Sequence, residues 1–194
     1  MNPTEEKAAP RSDFFKESIK LILLAVLIVI PFRLYIAQPF IVDGASMDPT
    51  FASGQYLIVD ELTYHFNTPE RGSVLIFKYP RDPKKYFIKR VIGLPGETVV
   101  ISGGQVTIIN TLNPDGFALD EPYVEFRKND NLNYTLGVGE YFVMGDNRAQ
   151  SADSRVWGPL PEANIIGRPF ISFIPPDILP GDARNYQSEN NQNN

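Results

Sequence analysis

Two residues of this chain have the types and settings needed for nucleophilic catalysis. Ser46 lies in Gly44-Ala45-Ser46-Met47-Asp48-Pro49-Thr50, and Lys89 lies in Phe87-Ile88-Lys89-Arg90-Val91-Ile92-Gly93. A serine hydroxyl attacks a carbonyl only when a base takes its proton, and a lysine amine can be that base once burial favours its neutral form. Gly44 lets the backbone approach a substrate carbonyl, Ala45 adds no bulk and Pro49 stiffens the exit. Ser46 is thereby presented on a fixed turn with its own N–H available to an oxyanion. Strand alternation puts Lys89 on the face shared by Phe87 and Val91, with Ile88, Arg90 and Ile92 on the other. Both faces carry apolar side chains, so the pattern leaves open which one is buried. If Lys89 is buried beside Ser46, its pKa drops from ~10.4 toward neutrality.

A third stretch, Met144 to Pro159, includes Gly145-Asp146-Asn147-Arg148 and Ser151-Ala152-Asp153-Ser154-Arg155 directly after an apolar run. Its mixture of both charge signs suits a self-paired network that fixes a loop beside a site.

Composition removes several other chemistries. The 194 residues carry 18 Lys and Arg against 23 Asp and Glu, a net charge of −5, which offers no basic footprint for nucleic acid. With no cysteine there is no disulfide, thiol nucleophile or thiolate metal site. The single histidine, His65, reads as a loop residue with a structural or solvent role. A multi-histidine metal site is excluded, and we expect neither metal nor cofactor.

The elements that must position these residues fall into an anchor and a body. From Leu21 to Ile36 the chain is apolar except for Pro31 and Arg33, and Phe14 and Phe15 extend that character upstream. A bilayer core of about 30 Å needs ~20 helical residues, so a span works if Lys20 and Arg33 snorkel. Leu21 to Ile30 shows no polar face of the kind a core helix carries. Lys7, Arg11, Lys16 and Lys20 precede the span, while no Lys or Arg occurs from Leu34 to Glu70, which predicts a cytoplasmic N-terminus and an extracytoplasmic body. The segment lacks a convincing small-residue cleavage site and is read as an uncleaved signal anchor. The expected organisation is a cytoplasmic tail over 1–13, a transmembrane helix over 14–36, a β-rich catalytic domain over 37–178 and a disordered tail over 179–194. Because an extended chain spans at most ~3.6 Å per residue, Ser46 stays within roughly 36 Å of the outer end of the anchor.

The body is expected to be mainly β. Strands are predicted at 40–42, 55–60, 74–79, 86–92, 98–101, 106–109, 141–144 and 170–174, with a hairpin at Gly103-Gly104. Residues 110–139 read as an elaborated loop region, and 161–166 as a short helix. Phe40, Ile41, Met47 and Phe51 are either core or an apolar rim that dips into the membrane interface.

With these motifs in order, the chain resembles bacterial-type signal peptidase I, the membrane-bound serine endopeptidase that removes signal peptides from exported preproteins. The resemblance rests on Ser46-Met47-Asp48-Pro49-Thr50, on Arg71-Gly72-Ser73-Val74-Leu75-Ile76-Phe77, on Lys89 through Glu97, and on Gly145 through Gly158. It implies a signal-peptidase-like β-rich fold, with Ser46 as nucleophile and Lys89 as general base. It also implies that Ser151 orients the lysine amine and that Asp153 pairs with Arg155. The oxyanion would be met by backbone N–H groups of Ser46 and Gly44, since Gly44 stands where some relatives carry a hydroxyl residue. Substrate would lie extended against Asp43, Gly44, Phe87 and Ile88, with small residues selected at the first and third positions before the cut. Exported preproteins and the lipid bilayer are the implied partners, and a monomer the implied state. Ser73 and Ala149 depart from the usual residues at their positions. The interval from Lys89 to Gly145 is short for the family, implying a compact β-extension. The alternatives are a self-cleaving repressor-type peptidase and a membrane-anchored β-domain that binds partners without catalysis.

Overall fold

The computed structural model describes residues 11–35 and 38–173. Most of the tail expected over 1–13, the whole of that over 179–194 and the strand end at Ile174 lie outside the described residues. A helix α1 (Arg11–Tyr35) comes first. Its side chains from Leu21 to Leu24 are all more than half exposed, and Leu27 is as well, so apolar surface faces outward on successive positions around the helix. Among the described residues no helix is long and apolar enough to cross a membrane.

The body then follows as β1 (Gln38–Ile41), β2 (Tyr56–Asp60), α2 (Thr63–Phe66), β3 (Val74–Tyr79), β4 (Asp82–Gly93), β5 (Thr98–Ser102) and β6 (Gln105–Ile109). It continues as β7 (Phe117–Ala118), β8 (Leu132–Thr135), β9 (Glu140–Met144), α3 (Ser154–Trp157), β10 (Leu160–Pro161) and β11 (Ile165–Phe173). The larger sheet has the order β1-β2-β11-β3-β4-β9-β10, and a four-stranded sheet has the order β7-β6-β5-β8. Every strand pair in both is antiparallel.

The strands form where β-branched and aromatic residues alternate, and they end where glycine or proline intervenes. Gly103 and Gly104 both have positive φ and join Ser102 to its partner Gln105, the conformation a two-residue hairpin turn needs. The predicted strand at 170–174 begins earlier, at Ile165, because Ile165 and Gly167 pair with β3 before the chain crosses to β2. That recruitment shortens the helix expected at 161–166 to a 3-10 turn over Glu162–Asn164.

Two further expectations are corrected. His65 sits in the one-turn helix α2 and not in a loop, because the Asp60 carboxylate accepts the Leu62 and Thr63 N–H groups that start the turn. Its Nδ1 lies 2.8 Å from the Glu61 carbonyl oxygen in the same turn. The 110–139 region is not all loop: β7 and β8 flank the β5–β6 hairpin to complete the smaller sheet. β7 is too short to show a period, and the apolar-polar alternation of Leu132–Thr135 stands alone in a stretch rich in Asn, Asp and Gly.

Three apolar clusters hold the body together. One joins the two sheets through Ile92, Val99, Ile108 and Phe142. A second packs Phe77, Val91, Tyr141 and Trp157. The third, Val42, Leu57, Val59 and Ile76, lies under the strand that leads to Ser46, with Phe40 and Phe51 packed against it. Met47 is fully buried and Ile41 is 59% exposed, so the four candidate rim residues divide between core and surface.

Candidate active site

The turn after β1 is clamped on both sides of Ser46. Met47 plugs into the interior, and the Phe51 N–H donates to the Met47 carbonyl at 2.9 Å. The Asn147 N–H donates to the Ser46 carbonyl at 3.2 Å, and Thr50 Oγ1 donates to Asp146 Oδ2 at 2.5 Å. Gly145 makes this contact possible, because a Cβ there would run into the Ser46 carbonyl oxygen and the Ser151 side chain.

β4 supplies Lys89, which pairs with Leu75 of β3 and is only 4% exposed. Its Nζ donates to Ser46 Oγ at 2.6 Å and to the Ile88 carbonyl at 2.7 Å, and lies 5.4 Å from the centre of the Phe87 ring. Burial lowers its pKa from 10.5 to about 8, against the upward pull of Asp153 and Asp146. Both faces of β4 are covered, with Val91 in one cluster and Ile92 in another, which is why alternation could not decide the orientation.

Beside this pair lies a cavity of about 300 Å³. Asp43, Gly44, Phe87 and Ile88 all line it together with Ser46 and Lys89, and Val42, Leu57 and Ile76 make its apolar floor. The Gly44 N–H donates to Ser53 Oγ at 3.2 Å. The Ser46 N–H makes no hydrogen bond among the described residues.

Asp153 and Arg155 form a two-pronged ion pair, Nε to Oδ1 at 2.8 Å and Nη2 to Oδ2 at 2.7 Å. Burial pushes the Asp153 carboxyl up, but Arg155, Ser151 and the Gly145 N–H together bring it below its ordinary value. Ser151 Oγ is sealed from solvent without a well-formed hydrogen bond, although it lies near enough to Asp153 to contribute to that lowering. The expected bond between Ser151 and the lysine is absent from this structure, where Nζ donates to Ser46 and to the Ile88 carbonyl.

The network around the 145–158 loop draws most of its partners from outside that loop. Arg90 grips Asp146 with Nε at 2.9 Å and Nη2 at 2.6 Å and stacks 4.0 Å from the centre of the Tyr123 ring. Arg148 is held by Glu121 at 2.5 and 3.1 Å with both side chains almost fully buried, and Asp130 pairs with Arg155. The sequence reading missed Thr50, Arg90, Glu121, Tyr123 and Asp130. For Arg90 the available signal was its place next to Lys89 on a two-faced strand; Glu121 and Asp130 had none, since their partners lie 27 and 25 residues away.

A serine hydroxyl in contact with a buried amine of lowered pKa, at the end of an apolar groove, can carry out acyl transfer. Comparison with known proteins gives the class. The family described as "Signal peptidase, peptidase S26" matches residues 15–174, and the chain belongs to this family. Among its relatives are the probable signal peptidase I-1 of Synechocystis sp., 39% identical with 84% of each chain covered, and the signal peptidase I of Leptolyngbya laminosa, 38% identical over 91% of this chain and 90% of that one. A crystal structure of a signal peptidase I from Enterococcus faecalis aligns with a TM-score of 0.45 and 31% identity, covering 54% of this chain and 98% of the other. The chain is accordingly a serine peptidase that cleaves signal peptides.

Proposed function

We propose that this signal peptidase is held in a membrane by α1, with its N-terminus cytoplasmic, and cuts exported preproteins with Ser46 as nucleophile and Lys89 as general base. The observation that carries the reading is the 2.6 Å contact between the buried Lys89 amine and Ser46 Oγ at the end of the groove. Neutral Nζ accepts the Ser46 proton as Oγ attacks the scissile carbonyl carbon, and the resulting oxyanion is met by the Ser46 N–H. The lysine then gives that proton to the leaving amine nitrogen as the C–N bond breaks, leaving an acyl ester on Oγ. Water, deprotonated by the same amine, attacks the ester, and the proton returns to Ser46 as the new carboxyl group departs. Asp153 and Arg155 brace the 145–158 loop from within, Asp146 and Asn147 tie it to the turn, and Ser151 packs against Gly145.

The substrate lies extended along Asp43, Gly44, Phe87 and Ile88. Alternation turns the first and third residues before the cut toward the cavity, where the family resemblance implies that small side chains are selected. Support for the anchor comes from the outward-facing apolar side chains of Leu21 to Leu24 and from the basic residues that precede them.

The test is cleavage of a preprotein with an Ala-x-Ala junction by the detergent-solubilised full chain, beside Ser46→Ala and Lys89→Ala brought to equal folded fractions. Only the unmodified chain should cut, and it should cut after the second alanine. Equal cutting by all three would remove both assignments.

A further inference from the structure

The β3–β4 hairpin continues past the groove into a tip for which the catalytic reading has no use. Tyr79 pairs with Asp82 across a turn made by Pro80 and Arg81. Arg81, Pro83, Lys84 and Lys85 are exposed there, placing three cations against one carboxylate in a chain whose net charge is −5. Internal neutralisation is slight. Lys85 lies 3.4 Å from Asp82 with its side chain 67% exposed, Arg81 donates to the Val156 carbonyl at 3.3 Å, and Lys84 has no ion pair among the described residues.

The groove fixes where this tip lies. β1 and β4 both border it, with the Phe40 and Tyr86 rings meeting 5.2 Å apart toward one end and Ser46 meeting Lys89 at the other. Both strands therefore cross the groove in the same sense. Immediately before Phe40 come Pro39 and Gln38, and Gln38 is three residues beyond the last residue of α1, which limits that link to about 11 Å. Immediately before Tyr86 comes the cationic tip. The end of α1 and the tip thus share the end of the groove opposite Ser46 and Lys89.

We propose that Arg81, Lys84 and Lys85 dock on the phosphate headgroups of an anionic bilayer, holding the mouth of the groove against the membrane surface. The inference rests on α1 as the anchor, which sets the tip beside the headgroups; exposed cations this close to an anionic surface are attracted within about one Debye length, ~8 Å at physiological salt. Each cation contributes about fivefold to the ratio of docked to undocked tip. A preprotein whose signal segment occupies the same bilayer would then meet the groove at its open end.

Because the chain has no cysteine, Pro83→Cys creates a single labelling position on the tip. The full-length labelled chain is reconstituted into vesicles of neutral phosphatidylcholine, or of phosphatidylcholine with phosphatidylglycerol, each doped with a lipid carrying a headgroup quencher. Flotation with both kinds of vesicle reads the anchor, and quenching of the label reads the tip. The expected result is flotation with both, quenching that is strong on anionic and weak on neutral vesicles, and its loss in high salt. In the Pro83→Cys background, Lys84→Gln with Lys85→Gln should lower the docked ratio on anionic vesicles about 25-fold. Equal quenching on both lipids, or quenching indifferent to the two substitutions, overturns the proposal while leaving the anchor standing. Failure to float with neutral vesicles removes the anchor, and the proposal with it. Preprotein cleavage in the same vesicles reports on Ser46 and Lys89 separately.

Discussion

Replacing Lys89 with methionine should abolish cleavage and at the same time stabilise the protein at neutral pH. Lys89 is 4% exposed, and burial lowers its pKa from 10.5 to about 8. The folded state therefore releases the proton at lower pH than the unfolded chain does, and the difference corresponds to about 3 kcal/mol. The sign follows from proton counting. Below pH 8 both states hold the proton, and the folded state bears the full cost of a buried ammonium. Between pH 8 and 10.5 the unfolded chain holds more protons, so stability rises with pH; above 10.5 both states are neutral and the cost is gone. Methionine fills a similar volume without charge, so Lys89→Met should gain about 3 kcal/mol at pH 7, less what is lost with the bonds to Ser46 and Ile88, and little at pH 10.5. Denaturant unfolding of both proteins at the two pH values measures this. On the activity side, about a tenth of the lysines are neutral at pH 7, so kcat/KM of the unmodified enzyme should climb tenfold per pH unit up to about 8 and then level. The reasoning is refuted if Lys89→Met is no more stable than the unmodified chain at pH 7, or if the rate profile is flat or bends near 10.5.

Other substitutions test the surroundings of the pair. Gly145→Ala forces a Cβ against the Ser46 carbonyl and Ser151, and, with Ser46 as the proposed nucleophile, its displacement should cost about 10²-fold in kcat with the fold retained, read by kinetics beside circular dichroism. Glu121→Gln leaves Arg148 buried without its counter-ion and should destabilise by about 3–5 kcal/mol; adding Arg148→Met should restore much of this in the same denaturation assay. Burial raises the Glu97 carboxyl, but bonds from Arg71, Asn110 and the Leu94 N–H outweigh that and bring it below its ordinary 4.5. Its stabilisation should thus be intact above pH 5 and vanish as pH falls through the lowered value. Glu97→Gln should flatten that acid limb of an unfolding titration.

Several features were readable in the chain because they are local. The strand at 74–79 was placed to the residue, and the turn at Gly103-Gly104 announced itself through two glycines that tolerate positive φ. Ser46 and Lys89 could be singled out for the same reason: the turn chemistry around the serine and the alternation around the lysine are properties of a few neighbouring residues. The 110–139 region was opaque because β7 has only two residues and the single alternation of β8, apolar at Leu132 and Tyr134, is surrounded by Asn, Asp and Gly.

By itself, then, the sequence determined a β-rich body, the apolar stretch before it, and the residue types available for a serine-lysine reaction. Each follows from short-range sterics and hydrophobic pattern, which act between residues within a few positions of one another. Only the tertiary structure decided that Lys89 is buried, since both faces of β4 are apolar and the packing of three clusters selects the environment of each. It also decided that the Gly44 N–H is engaged by Ser53 and that Arg90, Arg148 and Arg155 find Asp146, Glu121 and Asp130. Those pairings depend on which distant strands come to lie side by side, and a charged side chain carries no mark in sequence of the partner that desolvation will oblige it to find.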